Sequence, residues 1–128
     1  MKTLGIGIDI INNERIRALI NNKSFVDRIF GKSEIKLSKK ISNKTNYFAK
    51  RFAAKESLAK SLGTGFRNNL NFKDIEILND NKGKPYYFKT KKIDNIINKK
   101  FKVKKYNLFL SISDEKNYSI AFTILQTQ

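Results

Sequence analysis

The chain opens on an alternation. Leu4, Ile6, Ile8 and Ile10 are interleaved with Gly5, Gly7 and Asp9, a period of two that predicts a strand with one aliphatic face. The other face carries two glycines and then an aspartate, so another backbone or a ligand can approach it closely. Asn12 and Asn13 are good N-caps, and Ile16, Leu19 and Ile20 mark a short amphipathic helix running to Asn21-Asn22. Ser24 and Asp27 read as a capping box for a second short helix through Phe30, stopped by Gly31. Ser33 is the expected cap of a third, with Ile35, Leu37 and Ile41 as its apolar positions. The longest helix is expected from about Thr45 to Leu62, ended by Gly63. Phe48, Phe52, Ala59 and Leu62 form its buried stripe, and Ala49, Ala53, Glu56 and Lys60 an adjacent row. Small alanines in that row would let the helix lie close to the glycine face of the first strand, which would carry Glu56 towards Asp9.

Beyond this helix, Asp74 to Leu78 alternates through Ile75 and Ile77. Asn79-Asp80-Asn81-Lys82-Gly83 is a turn signal, and Tyr86, Tyr87 and Phe88 follow as a second strand with Pro85 at its start. Ile93, Ile96 and Ile97 mark a helix to about Lys100. Leu108, Leu110 and Ile112 alternate with Phe109, Ser111 and Ser113. Asp114 to Asn117 turns the chain, and Tyr118, Ile120, Phe122 and Ile124 form a returning strand, so the last pair reads as an antiparallel hairpin. Strands at both ends enclose a helical middle. The expected fold class is α+β, a mainly antiparallel sheet packed on a long central helix, in a single domain over residues 1–128.

Composition narrows the chemistry. The 128 residues contain no cysteine and no histidine, which removes disulfides, thiolate sites and imidazole as base or ligand. A bound metal must rest on oxygen, favouring Mg²⁺, Mn²⁺ or Ca²⁺. The formal net charge of +16 implies attraction to polyanions without choosing among nucleic acid, membrane, phosphorylated small molecules and acidic proteins. No segment has the apolar length of a membrane-spanning helix or the pattern of a secretion signal, so no membrane partner and a cytoplasmic location are expected. A basic module binding RNA or DNA is the rival class. It lacks a nucleic-acid motif, and most Phe residues fall at core periodicities, so no specific nucleic acid is expected.

Asp9 and Glu56 are the first candidates for chemistry. Two carboxylates from different elements facing one cleft suit Mg²⁺ while leaving positions for phosphate oxygens and water. A strand-end aspartate and an i,i+4 surface pair of Glu56 with Lys60, worth about 0.3–0.5 kcal/mol, account for the same residues without a site. Gly63-Thr64-Gly65 ends the helix without Walker spacing, and Gly83-Lys84-Pro85 follows a turn that an ordinary hairpin also explains.

Taken together, Gly5-Ile6-Gly7-Ile8-Asp9, the run RFAAKESLAKSLGTG from Arg51 to Gly65, Asp74 to Ile77 with Gly83-Lys84-Pro85, and Leu110-Ser111-Ile112-Ser113 resemble, in order and spacing, the holo-acyl-carrier-protein synthase family of 4′-phosphopantetheinyl transferases. The resemblance implies that family's fold. It also implies Mg-dependent transfer of 4′-phosphopantetheine from coenzyme A to a serine of an acidic acyl carrier protein, releasing 3′,5′-ADP, in fatty acid biosynthesis. It assigns Asp9 and Glu56 to the metal and, with Lys60, to catalysis. Lys60, Gly63, Gly83, Lys84, Pro85 and Ser111 are assigned to coenzyme A, and Arg15 and Phe25 to the carrier protein. A homotrimer with active sites between subunits is implied as well. One position departs from the family: Asp114 stands where a histidine usually follows the Ser-x-Ser/Thr of the last block, and a carboxylate there cannot supply a hydrogen-donating imidazole beside phosphate.

Overall fold

In the computed structural model, which describes residues 1–67 and 69–128, the chain is α+β. Strand β1 (Thr3–Asn12) leads into three seven-residue helices, α1 (Asn13–Leu19), α2 (Lys23–Ile29) and α3 (Lys32–Ser38), and then into the long helix α4 (Lys44–Ser61). A 3-10 turn (Phe72–Asp74) precedes β2 (Glu76–Asn79) and β3 (Pro85–Phe88). Helix α5 (Lys91–Phe101), β4 (Tyr106–Asp114) and β5 (Tyr118–Thr127) complete the chain. The main sheet has the order β1-β5-β4, antiparallel throughout, and β2-β3 is a separate antiparallel pair.

The glycine face of β1 is the surface on which α4 lies. A Cβ at Gly5 would sit 1.9 Å from the Ser61 carbonyl oxygen, and one at Gly7 1.8 Å from that of Ser57. No other residue fits there, because the obstacle is helix backbone. The expected approach therefore occurs, but it is made by the Ser57/Ser61 edge of α4, one position round from the Ala49/Ala53/Glu56/Lys60 row. The stripe Phe48, Phe52, Ala59 and Leu62 is buried as expected.

Two caps differ from the sequence expectation. Asn22, not Ser24, caps α2, its side chain accepting from Phe25 N, while Asp27 pairs with Lys23 at 2.7 Å. Gly31, not Ser33, precedes α3, and its N–H donates to Glu34 Oε1 at 3.0 Å. In both cases a residue with extended backbone stood two positions earlier, and the cap is decided by where the chain enters the helix. Leu37 and Ile41 are exposed; α3 instead buries Glu34 and Ser38.

The sheet shows the same inversion on a larger scale. Ala121, Thr123 and Leu125 of β5 are fully buried against α4, whereas Tyr118, Ile120 and Phe122 point outward. Cross-strand partners share a face, and Phe122 lies opposite Ile8 on one side and Ser111 on the other. Ile6, Ile8 and Ile10 are 59%, 58% and 60% exposed. The aliphatic face of β1 thus belongs to an apolar outer surface.

Candidate active site

Asp9 lies on the helix-facing side of β1, two residues beyond the Gly7 contact. Lys60 Nζ reaches it from α4, 3.1 Å from Asp9 Oδ1, and also donates to the Ile8 carbonyl at 3.0 Å. Glu56 stands one helical turn before Lys60 and is half-buried. Burial pushes the Asp9 carboxyl above its ordinary range; the hydrogen bond and charge of Lys60 and the charge of Arg15 pull it back. Burial likewise raises Glu56, the negative charge of Asp9 raises it further, and Lys60 and Arg15 oppose both. Arg15 itself is exposed on α1. The structure therefore brings Asp9, Glu56, Lys60 and Arg15 within one another's fields.

Two carboxylates held in partial burial against each other's charge form a pair that a cation would relieve. Among the described residues no group of three Asp, Glu, His or Cys side chains gathers to hold a metal. An ion here would rest on two carboxylates and complete its shell with oxygens from outside the chain. That donor set fits Mg²⁺, which commonly takes one or two carboxylates plus substrate phosphates and water. Asp114 accepts a hydrogen bond from Asn46 Nδ2 on the first turn of α4 and does not join the pair.

The other predicted residues are placed elsewhere. Gly63 ends α4 with φ +79°, the left-handed conformation glycine adopts without strain. Gly83, with φ +86°, closes the β2-β3 turn, where Asp80 Oδ1 accepts from the N–H groups of Lys82 and Lys84 at 2.9 and 2.8 Å. Lys84, Pro85 and Ser111 share a groove of about 330 Å³ with Tyr86, Phe109 and Phe122. Ser111 is on the outer face of the sheet and Asp9 on the helix-facing side, so one chain does not bring the Lys84/Pro85/Ser111 group into contact with the carboxylates. Phe25 is 8% exposed and packs against Phe30 and Phe52. In the single chain α2 turns that side of itself inward, so Phe25 offers little of its ring to a surface partner.

Several residues that build the site escaped the sequence reading. Lys55 and Glu34 are both fully buried and pair at 2.7 Å. Lys55 also donates to the carbonyls of Phe72 and Ile75, and Glu34 Oε2 accepts from Ile77 N at 3.2 Å. One ion pair thereby ties α3, α4 and β2 together. A signal existed: Lys55 falls in the stripe Phe48, Phe52, Ala59, Leu62 at helical spacing, and a lysine at a core position needs a buried partner. Arg51, 5% exposed, lies 3.7 Å over the Tyr47 ring and donates to Asn79 Oδ1 at 2.7 Å; Asn79 in turn donates to the Gly83 carbonyl.

Comparison with known proteins bears on this arrangement. Residues 5–123 match the model of the 4′-phosphopantetheinyl transferase superfamily. A holo-(acyl-carrier-protein) synthase of Pelagibacter ubique (strain HTCC1062) is 56% identical over 126 residues, covering 98% of each chain. Among solved structures, a holo-(acyl-carrier-protein) synthase from Bacillus anthracis in complex with CoA (3′,5′-ADP) superposes with a TM-score of 0.83 at 33% identity over 100% of both chains. The Neisseria meningitidis enzyme gives 0.85 at 34%, over 98% of this chain and 99% of its own. With a glycine-faced strand bringing Asp9 to Glu56 and Lys60 on one helix, and with these matches over nearly its whole length, the chain belongs to the holo-(acyl-carrier-protein) synthases of the 4′-phosphopantetheinyl transferase superfamily.

Proposed function

We propose that this single domain, residues 1–128, works in the cytoplasm as a Mg²⁺-dependent enzyme of fatty acid biosynthesis. It moves 4′-phosphopantetheine from coenzyme A onto a serine of an acidic apo-acyl carrier protein. The observation that carries the reading is Lys60 Nζ on Asp9 at 3.1 Å, one helical turn from Glu56, whose carboxyl feels the charge of Asp9. Asp9 and Glu56 hold the metal, which when bound neutralises the pyrophosphate and polarises its phosphorus. Lys60 uses two N–H groups on Asp9 and the Ile8 carbonyl; its third is directed to a pyrophosphate oxygen and stabilises the departing 3′,5′-ADP. The carrier serine forms the new O–P bond to the β-phosphate as the bond to ADP breaks. With no histidine in the chain, the serine proton passes through water to a carboxylate, for which Glu56 is the candidate. Phosphoryl transfer is mostly positioning and charge neutralisation, which is what this small set supplies.

Gly63, Gly83, Lys84, Pro85 and Ser111 are proposed to hold coenzyme A. The separation of Ser111, on the outer face of the sheet, from Asp9, on its helix-facing side, supports a homotrimer in which one subunit offers the carboxylates and its neighbour the Lys84/Ser111 groove. The test is incubation with coenzyme A, Mg²⁺ and an apo carrier protein, followed by intact-mass analysis. The carrier gains one phosphopantetheine in the presence of Mg²⁺ and none after chelation. Glu56→Gln lowers the rate by about 100-fold or more; turnover close to that of the native chain removes the metal reading.

A further inference from the structure

Tyr87 is the inward-facing residue of β3, 7% exposed between Tyr86 and Phe88 at 42% and 48%. Its hydroxyl donates to the Ala54 carbonyl of α4 at 2.6 Å, and lies 2.7 Å from Thr123 Oγ1 of β5 and 3.2 Å from Ser57 Oγ of α4. Ser57 Oγ is also 2.6 Å from Thr123 Oγ1 and donates to the same Ala54 carbonyl at 3.0 Å. Three buried hydroxyls thus join α4, β3 and β5. The connection matters because β2-β3 is a separate sheet, without ladder hydrogen bonds to β1-β5-β4. The attachment point on α4 brackets Glu56, with Ala54 two residues before it and Ser57 directly after it. Lys84, Pro85 and Tyr86, the residues directly before Tyr87, form the lip of the groove that holds Ser111.

We infer that Tyr87 is a positioning residue: its hydroxyl sets where the Lys84-Pro85 lip stands relative to α4 and the main sheet, and through that lip it tunes affinity for coenzyme A. The inference rests on the proposed coenzyme A role of Lys84. Removing the hydroxyl leaves no orphan, because Thr123 can donate to Ser57 and Ser57 to the Ala54 carbonyl. Tyr87→Phe should therefore fold while losing the tether.

The experiment varies coenzyme A at saturating carrier protein for the native chain, Tyr87→Phe, Lys84→Ala and the double variant. Tyr87→Phe is expected to raise the KM for coenzyme A about tenfold, with kcat and the carrier KM changed by less than about twofold. Lys84→Ala is expected to raise the same KM, and the double variant to raise it no further than the larger single effect, because Tyr87 acts through Lys84. If Lys84→Ala raises the KM and Tyr87→Phe does not, Tyr87 is merely a core residue. Multiplicative effects in the double variant, or a parallel loss in kcat and both KM values, overturn the inference equally. An unchanged KM in Lys84→Ala strikes the coenzyme A role of Lys84 itself, and the inference goes with it.

Discussion

Lys55 and Glu56 are adjacent in the chain and opposite in environment. Glu56 sits half-buried at the candidate metal site, while Lys55 is fully buried with Glu34. Burial lowers the Lys55 ammonium below its ordinary value and Glu34 works against that. An ion pair of this kind adds little net stability over an apolar pair, yet breaking it on one side leaves a charge without a partner. Lys55→Met should lower the unfolding free energy by about 3–5 kcal/mol in urea denaturation. Adding Glu34→Gln should recover part of that loss; a double variant weaker than the single would show that Lys55 acts mainly through the Phe72 and Ile75 carbonyls. Tyr87 offers a second residue-scale test. Burial pushes its hydroxyl up to about 12 from 10.0, its Ser57 and Thr123 partners opposing. A folded-state value above the unfolded one gives stability that is present below pH 10 and lost as pH rises through 12. Between those limits the native melting temperature should fall more steeply than that of Tyr87→Phe, and parallel profiles would contradict the assignment.

Among the elements, the contact of β1 with α4 sets where Asp9 stands relative to Glu56 and Lys60. Two glycines let helix carbonyls come where side chains would otherwise stand, and this close approach places Asp9 beside Lys60. Gly7→Ala would push a Cβ into the Ser57 carbonyl, and only movement of the helix can relieve it. The variant should lose about 1–3 kcal/mol of stability and, by shifting Glu56 away from Asp9, about 100-fold in transfer rate. A Gly7→Ala protein with native kcat would show that the two carboxylates need no close register. The β2-β3 pair depends on side chains in place of a sheet ladder: the Lys55–Glu34 pair holds β2, Arg51 reaches the turn through Asn79, and Tyr87 holds β3.

For the molecule as a whole, the outer face of the main sheet is the dominant surface feature. Ile6, Ile8, Ile10, Phe109, Tyr118, Ile120 and Phe122 are all exposed on one side of three paired strands, more apolar surface than a small monomer ordinarily leaves to water. A homotrimer would cover it and join the two halves of the site. Ile8→Lys should give monomers by light scattering and abolish transfer together; a fully active native monomer would defeat the two-chain site. The net charge of +16 acts over longer range. Arg15→Ala should raise the carrier KM several-fold at low salt and less at high salt, and an unchanged carrier KM would remove Arg15 from docking.

The amino-acid sequence by itself determined the order and type of the elements, the span of α4 to within a residue, and the close approach of α4 to the glycine face of β1. These follow from local rules: period, caps, and glycines that admit a backbone. Only the tertiary structure decided which face of each element is covered. Periodicity says that Ile6, Ile8 and Ile10 share a side, but burial of that side depends on which partner arrives, and here the glycine side received α4. The same reason hid Phe25 in the core, paired Lys55 with a carboxylate 21 positions away, and set Ser111 and Asp9 on opposite sides of one sheet.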